Sequence, residues 1–160
     1  MRLTHLFKKG ALVALFFFLS GCSNECPSWR NENIQSSSCP SYSIKKVYFP
    51  TKNNLSGLEL EIADSLTGLR MYLNSFSTIL PAEEDDAHQT NVTYIVADQR
   101  YQAAAYRMEG GQRLLLPNDA TEQILDALWD QQTVEFQVGR YKAVVDPDGF
   151  REAYSVIDKN

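Results

Sequence analysis

Hydrophobic and polar residues alternate with a period of two along much of the chain, which is typical of β-strands. In the run 58–62, leucine and isoleucine fill every second position and glutamates stand between them. The runs 69–74 and 92–96 repeat this pattern, and residues 64–68 between the first two runs predict a hairpin loop. Strands with one apolar and one polar face predict an antiparallel sheet.

Glycines and helical spacing complete the pattern in the second half of the chain. Gly110-Gly111 separates the runs 103–108 and 112–116, where two glycines supply the positive φ of a tight turn. After Pro117, Asp119 and Glu122 have the spacing of a capping box, and the apolar residues that follow predict a helix ending near Gln131. Strands at 134–138 and 141–145, a turn at 146–149 and a short helix from Phe150 follow.

These elements together predict a β-rich α+β fold. Several short strands and only two helices indicate mainly an antiparallel sandwich or a partly open barrel. About two helices are expected near the C-terminal end of the chain.

The first residues have the composition of a signal peptide. Arg2, Lys8 and Lys9 precede an apolar run at 10–19, which is too short to span a bilayer of ~30 Å. The run leads into Leu19-Ser20-Gly21-Cys22, which resembles the lipobox of bacterial lipoproteins. The resemblance implies cleavage before Cys22 and a diacylglycerol thioether on its sulfur. A secreted protein with a chance match, or an uncleaved membrane helix, is the alternative.

The lipobox resemblance also implies a location. Ser23 follows Cys22, and in that family the absence of aspartate at this position favours the outer membrane over inner-membrane retention. Two or three acyl chains anchor a protein stably, whereas one is marginal. The expected partner of Cys22 is therefore the lipid bilayer of the bacterial cell envelope.

The other two cysteines, Cys26 and Cys39, lie thirteen residues apart. In an oxidising periplasm this spacing suits a disulfide, which would contribute about 3 kcal/mol of stability. Free thiols or a metal pair are the alternatives, although two cysteines without nearby histidine make a poor zinc site. The domain prediction is a signal peptide at 1–21, a lipidated flexible tether at 22–43 and a single β-rich globular domain at 44–160.

Charge and residue chemistry narrow the possible functions. From Cys22 onward the chain holds 12 basic and 20 acidic residues, a balance that argues against binding to nucleic acid. The one histidine of this part, His88, follows an acidic run at 83–86, which predicts a solvated loop more strongly than a weak cation site. Glu59 and Glu61 alternate with core residues and are expected to face solvent. No catalytic residue, metal ligand or cofactor is predicted.

The function predicted from these features is that of a non-enzymatic binding or assembly module in the envelope, with a protein as its partner. The alternative is a lipoprotein that binds lipid or another small apolar ligand in a cavity lined by its many aromatic residues. A hydrolase that uses His88 or surface carboxylates is the third and weakest hypothesis.

Overall fold

The computed structural model describes residues 27–35, 43–50 and 57–158. Within them the strands are β1 (Arg30–Gln35), β2 (Ser43–Phe49), β3 (Leu58–Ser65), β4 (Gly68–Ser75), β5 (Gln89–Val96), β6 (Gln99–Arg107), β7 (Arg113–Leu115), β8 (Val134–Val138) and β9 (Tyr141–Val145). The helices are α1 (Asn118–Trp129) and α2 (Phe150–Asp158). The predicted signal peptide, the lipidation site Cys22 and the predicted disulfide of Cys26 and Cys39 lie outside the described residues.

The strands form one antiparallel sheet in the order β1-β2-β3-β4-β7-β6-β5-β8-β9. The sheet is not closed, because β1 and β9 stand at its two ends. It nevertheless curls over its core, since β9 also contacts β3. The β-rich α+β class, the antiparallel pairing and the two helices near the C-terminal end are confirmed.

The register between β3 and β4 separates a core face from an outer face. Leu60 lies opposite Leu73 and Ile62 opposite Met71, and all four side chains are buried in the core. One residue along, Glu61 lies opposite Tyr72 on the other face of the sheet. Period-two alternation therefore fixes which side chains pack inside and which form the outer face.

The two helices cover the core from the C-terminal part of the chain. α1 contacts β4 and β8 and buries Ile124 and Leu128, while α2 contacts β1 and β2 and begins with the buried Phe150. Their apolar residues recur at helical spacing, so each helix presents one apolar face to the sheet. None of the helices among the described residues is both long and apolar enough to cross a membrane.

The sheet begins earlier than the predicted domain boundary at Ile44. β1 falls within the segment 22–43 that was predicted as a tether, and it pairs with β2 along its whole length. Just before β1, Trp29 is buried, and its indole N–H donates a hydrogen bond of 2.7 Å to the carbonyl of Asp146. The polar sequence of β1 lacks alternation, so its strand depends on pairing with β2 and on the Trp29 anchor.

The predicted capping box of the first helix is wrong. The helix begins at Asn118, after Pro117 in an extended conformation, and no side chain caps its first turn. Asp119 instead lies within that turn, where a carboxylate interacts favourably with the helix dipole. Thr121 donates its hydroxyl to the Pro117 carbonyl at 3.0 Å, one turn back.

Candidate functional site

A polar cleft lies on the outer face of the sheet, where β2, β3, β4 and β7 run side by side. Its volume is about 450 Å³, within the ~300–1,000 Å³ range of small-molecule sites. Neighbouring strands place their outward side chains in adjacent rows, which brings distant parts of the sequence together. The polar and aromatic side chains at its centre include Lys46, Tyr48, Glu59, Glu61, Asn74 and Arg113.

Glu61 lies at the centre of the cleft and is buried, with 5% of its surface exposed. Its Oε1 accepts a hydrogen bond of 2.8 Å from Arg113 Nη2 and lies 3.7 Å from Lys46 Nζ. The Arg113 guanidinium also stacks 3.8 Å above the centroid of the Tyr72 ring. The expectation that Glu61 faces solvent is wrong, because these long side chains from β2, β4 and β7 lie across it.

Asn74 connects the two glutamates of β3. Its Nδ2 donates to Glu61 Oε2 at 2.9 Å and to Glu59 Oε1 at 3.4 Å. Its other polar atom, Oδ1, is buried and accepts no hydrogen bond from any described residue.

Glu59 is half-buried in the same cleft. Burial raises the pKa of its carboxyl above the usual value of 4.5, and the nearby Glu61 charge acts in the same direction. The hydrogen bond from Asn74, and the more distant charges of Lys46 and Arg113, oppose that rise in pKa. The cleft therefore holds two carboxylates with unlike surroundings, one with two cationic neighbours and one without an ion pair among the described residues.

His88 and the acidic run lie elsewhere, before β5. The His88 ring is exposed and stacks on Tyr106 at a centroid distance of 6.2 Å. Two acidic side chains of the run accept hydrogen bonds from backbone N–H groups. Asp86 accepts from His88 at 2.8 Å, and Glu83 accepts from Asn91 at 3.0 Å. Across the described ranges, no three His, Cys, Asp or Glu side chains form a group that could hold a metal ion.

Three arginines near turns, Arg107, Arg113 and Arg140, have separate partners. Arg107 donates to the carbonyls of Leu80 and Ala87, while Arg140 donates to the Tyr141 hydroxyl. Only Arg113 enters the cleft.

Seven aromatic side chains of the described residues pack on one another. Around α2, ring centroids lie 4.9 to 5.7 Å apart in a cluster of Trp29, Phe49, Trp129, Phe150 and Tyr154.

The cleft could not be predicted from the sequence, although the alternation on β3 marks two of its residues. Glu59 and Glu61 were noted on β3, but their partners Asn74 and Arg113 come from strands whose register the sequence does not give. The visible signal is one of charge: acidic residues alternate along β3, while Lys46 and Arg113 stand at outward positions of two other strands.

The chain matches no protein-family model, and comparison with curated proteins and with solved structures gives no match.

Proposed function

We propose that this protein is a lipid-anchored module of the bacterial envelope that binds a protein partner through the outer-face cleft, without catalysing a reaction. The lipobox-like sequence at Leu19–Cys22 supports the anchor, and Ser23 favours the outer membrane. The cleft supports the binding role.

The observation that carries the binding role is the buried Asn74 Oδ1, which lies beside two glutamates and has no hydrogen-bond donor within the described ranges. A buried polar atom without a partner costs about 1–3 kcal/mol. Buried ion pairs also stabilise a fold little, because apolar side chains of similar volume often serve as well. Groups that reduce stability are typical of functional sites, so this cluster is better explained by recognition than by folding.

A photo-crosslinking experiment in intact cells tests the binding role. Phe76 lines the cleft with 59% of its surface exposed, so a photoreactive amino acid at this position reaches any molecule bound there. Leu66, at 79% exposed, lies in the hairpin turn at the far end of β3 and provides the matched control. We expect a discrete adduct from position 76 and none from position 66.

Recovery of only free lipoprotein from both positions would contradict the proposed binding role. Equal adducts from both positions would contradict the assignment of that role to the cleft.

A further inference from the structure

Two hydrogen-bond acceptors on β3 and β4 in the cleft lack a full set of partners among the described residues. Asn74 Oδ1 accepts nothing from the described residues, and the Glu59 carboxylate accepts one long hydrogen bond of 3.4 Å from Asn74 Nδ2. A separation of this length is beyond the usual 2.7–3.2 Å for N–H···O, so the bond satisfies Glu59 weakly. A ligand that satisfies the Glu59 carboxylate must therefore bring donors.

The charges of the cleft indicate what kind of donor fits. Arg113 and Lys46 both lie against Glu61, at 2.8 and 3.7 Å, which leaves Glu59 as the carboxylate without an ion pair in this part of the chain. A half-buried carboxylate is stabilised most by a cation at hydrogen-bond distance. The fitting ligand group is therefore a cation with several N–H donors and no acceptor.

We propose that the cleft binds a primary alkylammonium group at the Glu59 carboxylate, beside the Asn74 side chain. This inference rests on the proposed binding role of the cleft. An ammonium group offers three donors and no acceptor, so it matches a carboxylate that lacks donors. It is a compact point charge, whereas a guanidinium is a wide planar fork. Tyr48 and Phe76 line the same cleft, and their rings suit both the cation and its alkyl chain.

Two sources carry this chemistry: the lysine side chain of a partner protein and a free polyamine. The full chain, purified with its anchor in nonionic detergent and labelled with ¹⁵N, is titrated with 1,5-diaminopentane and, separately, with lysine blocked at its amino and carboxyl ends. The neutral 1,5-pentanediol, of equal chain length, is the control probe. The resonances of the Asn74 side-chain amide report binding at the site itself.

We expect both ammonium probes to shift the Asn74 amide resonances and pentanediol to leave them unchanged. Glu59→Gln should weaken ammonium binding by about tenfold or more, the size expected for a lost charged hydrogen bond. Glu135→Gln, at an exposed outward position of β8, should leave the affinity unchanged. Stronger binding of diaminopentane than of blocked lysine would favour a free polyamine as the source, and the reverse a partner lysine.

The pH dependence of amine binding provides an independent test of the contact with Glu59. The groups that face Glu59 are Lys46 from β2, Glu61 from β3, Asn74 from β4 and Arg113 from β7, with Glu32 from β1 at the rim. Because ammonium binds the ionised carboxylate, affinity should fall as pH decreases through the pKa of Glu59. In Glu59→Gln this pH dependence should be lost.

The inference is overturned if pentanediol binds as well as the amines, if neither amine shifts Asn74, or if Glu59→Gln retains the affinity of the parent. Failure of the amines together with a persistent adduct from position 76 would remove the ammonium assignment and leave the proposed function standing. If the adduct is absent while the amines still bind, the proposed function is contradicted and the ammonium assignment stands.

Discussion

Glu59 and Glu61 lie two residues apart on the same face of β3, yet their surroundings differ. Glu61 has a guanidinium at 2.8 Å and an ammonium at 3.7 Å, which compensate the loss of water around its carboxylate. Glu59 is half-buried beside that charge with one long hydrogen bond. Desolvation therefore dominates at Glu59 and raises its pKa.

The raised pKa of Glu59 predicts a pH-dependent gain from Glu59→Gln. A carboxyl whose pKa is higher in the folded than in the unfolded state stabilises the fold fully below the unfolded value of 4.5. That contribution is lost as pH rises through the folded pKa, whereas glutamine does not titrate. Thermal unfolding should therefore favour the variant over the parent more strongly at pH 7 than at pH 4. A difference that stays constant or shrinks with rising pH would contradict this.

Glu61→Gln should destabilise the protein by about 1–2 kcal/mol, since it leaves Arg113 and Lys46 without the carboxylate that they contact. The figure is modest because both cationic side chains are partly exposed. Urea denaturation measures the change. Glu135→Gln is the matched control on the exposed face of β8 and should change stability by less than about 0.5 kcal/mol. Equal effects of the two substitutions would show that the cleft ion pairs contribute nothing.

The conformation of a single residue could be predicted from the sequence where its own residue type determines that conformation. Gly68, Gly110 and Gly149 have the positive φ that the predicted turns require. The turn between β5 and β6 was not predicted, because Ala97 and Asp98 adopt positive φ without a glycine to mark it. The burial of Glu61 depends on Arg113, 52 positions away, which no local pattern reveals.

Among the elements, β1 is a polar strand that is stabilised by its pairing with β2 and by the preceding Trp29. Its residues are mostly exposed, and its pairing with β2 covers one edge of the sheet. Trp29 secures it: the indole ring lies 5.3 Å from Phe49 and 4.9 Å from Phe150, between β2 and the start of α2. The N-terminal strand and the C-terminal helix are thus fastened by one side chain.

Trp29→Ala should cost about 3–5 kcal/mol, as expected for removal of a large buried aromatic side chain. It also leaves the Asp146 carbonyl without the indole N–H. Trp129→Ala is the control, because Trp129 is 36% exposed and should cost less. Urea denaturation of both variants makes the comparison. If Trp29→Ala were as stable as the parent, β1 would not belong to the folded unit.

Strict alternation and helical spacing are enough to predict the individual strands and helices. They do not predict the order of the strands in the sheet. The strands at 58–62, 69–74, 92–96, 134–138 and 141–145 all exist, and the helix predicted to end near Gln131 ends at Trp129. The insertion of β7 between β4 and β6, and the pairing of β5 with β8, join segments distant in sequence. Such pairings are decided by packing of the whole sheet, so the cleft that they create could not be predicted.

In the whole molecule, the proposed function combines a lipid anchor at Cys22 with a binding cleft on the sheet. Cys22→Ser should abolish incorporation of a fatty-acid analogue, because serine lacks the thiol that the lipobox resemblance identifies as the site of acylation. Labelling of growing cells followed by gel electrophoresis measures this. Cys39→Ser is the control and should be labelled like the parent. Equal labelling of Cys22→Ser and the parent would contradict the anchor.

Obstruction of the cleft tests whether a partner binds there. Gln112 lines the cleft at an exposed position, so Gln112→Trp should block it without disturbing the core, while Glu135→Trp places the same ring on the outer side of β8. The measurement is the yield of the adduct from a photoreactive residue at position 76 in intact cells. The account predicts that Gln112→Trp abolishes the adduct and Glu135→Trp retains it. An unchanged yield in Gln112→Trp would contradict binding through the cleft.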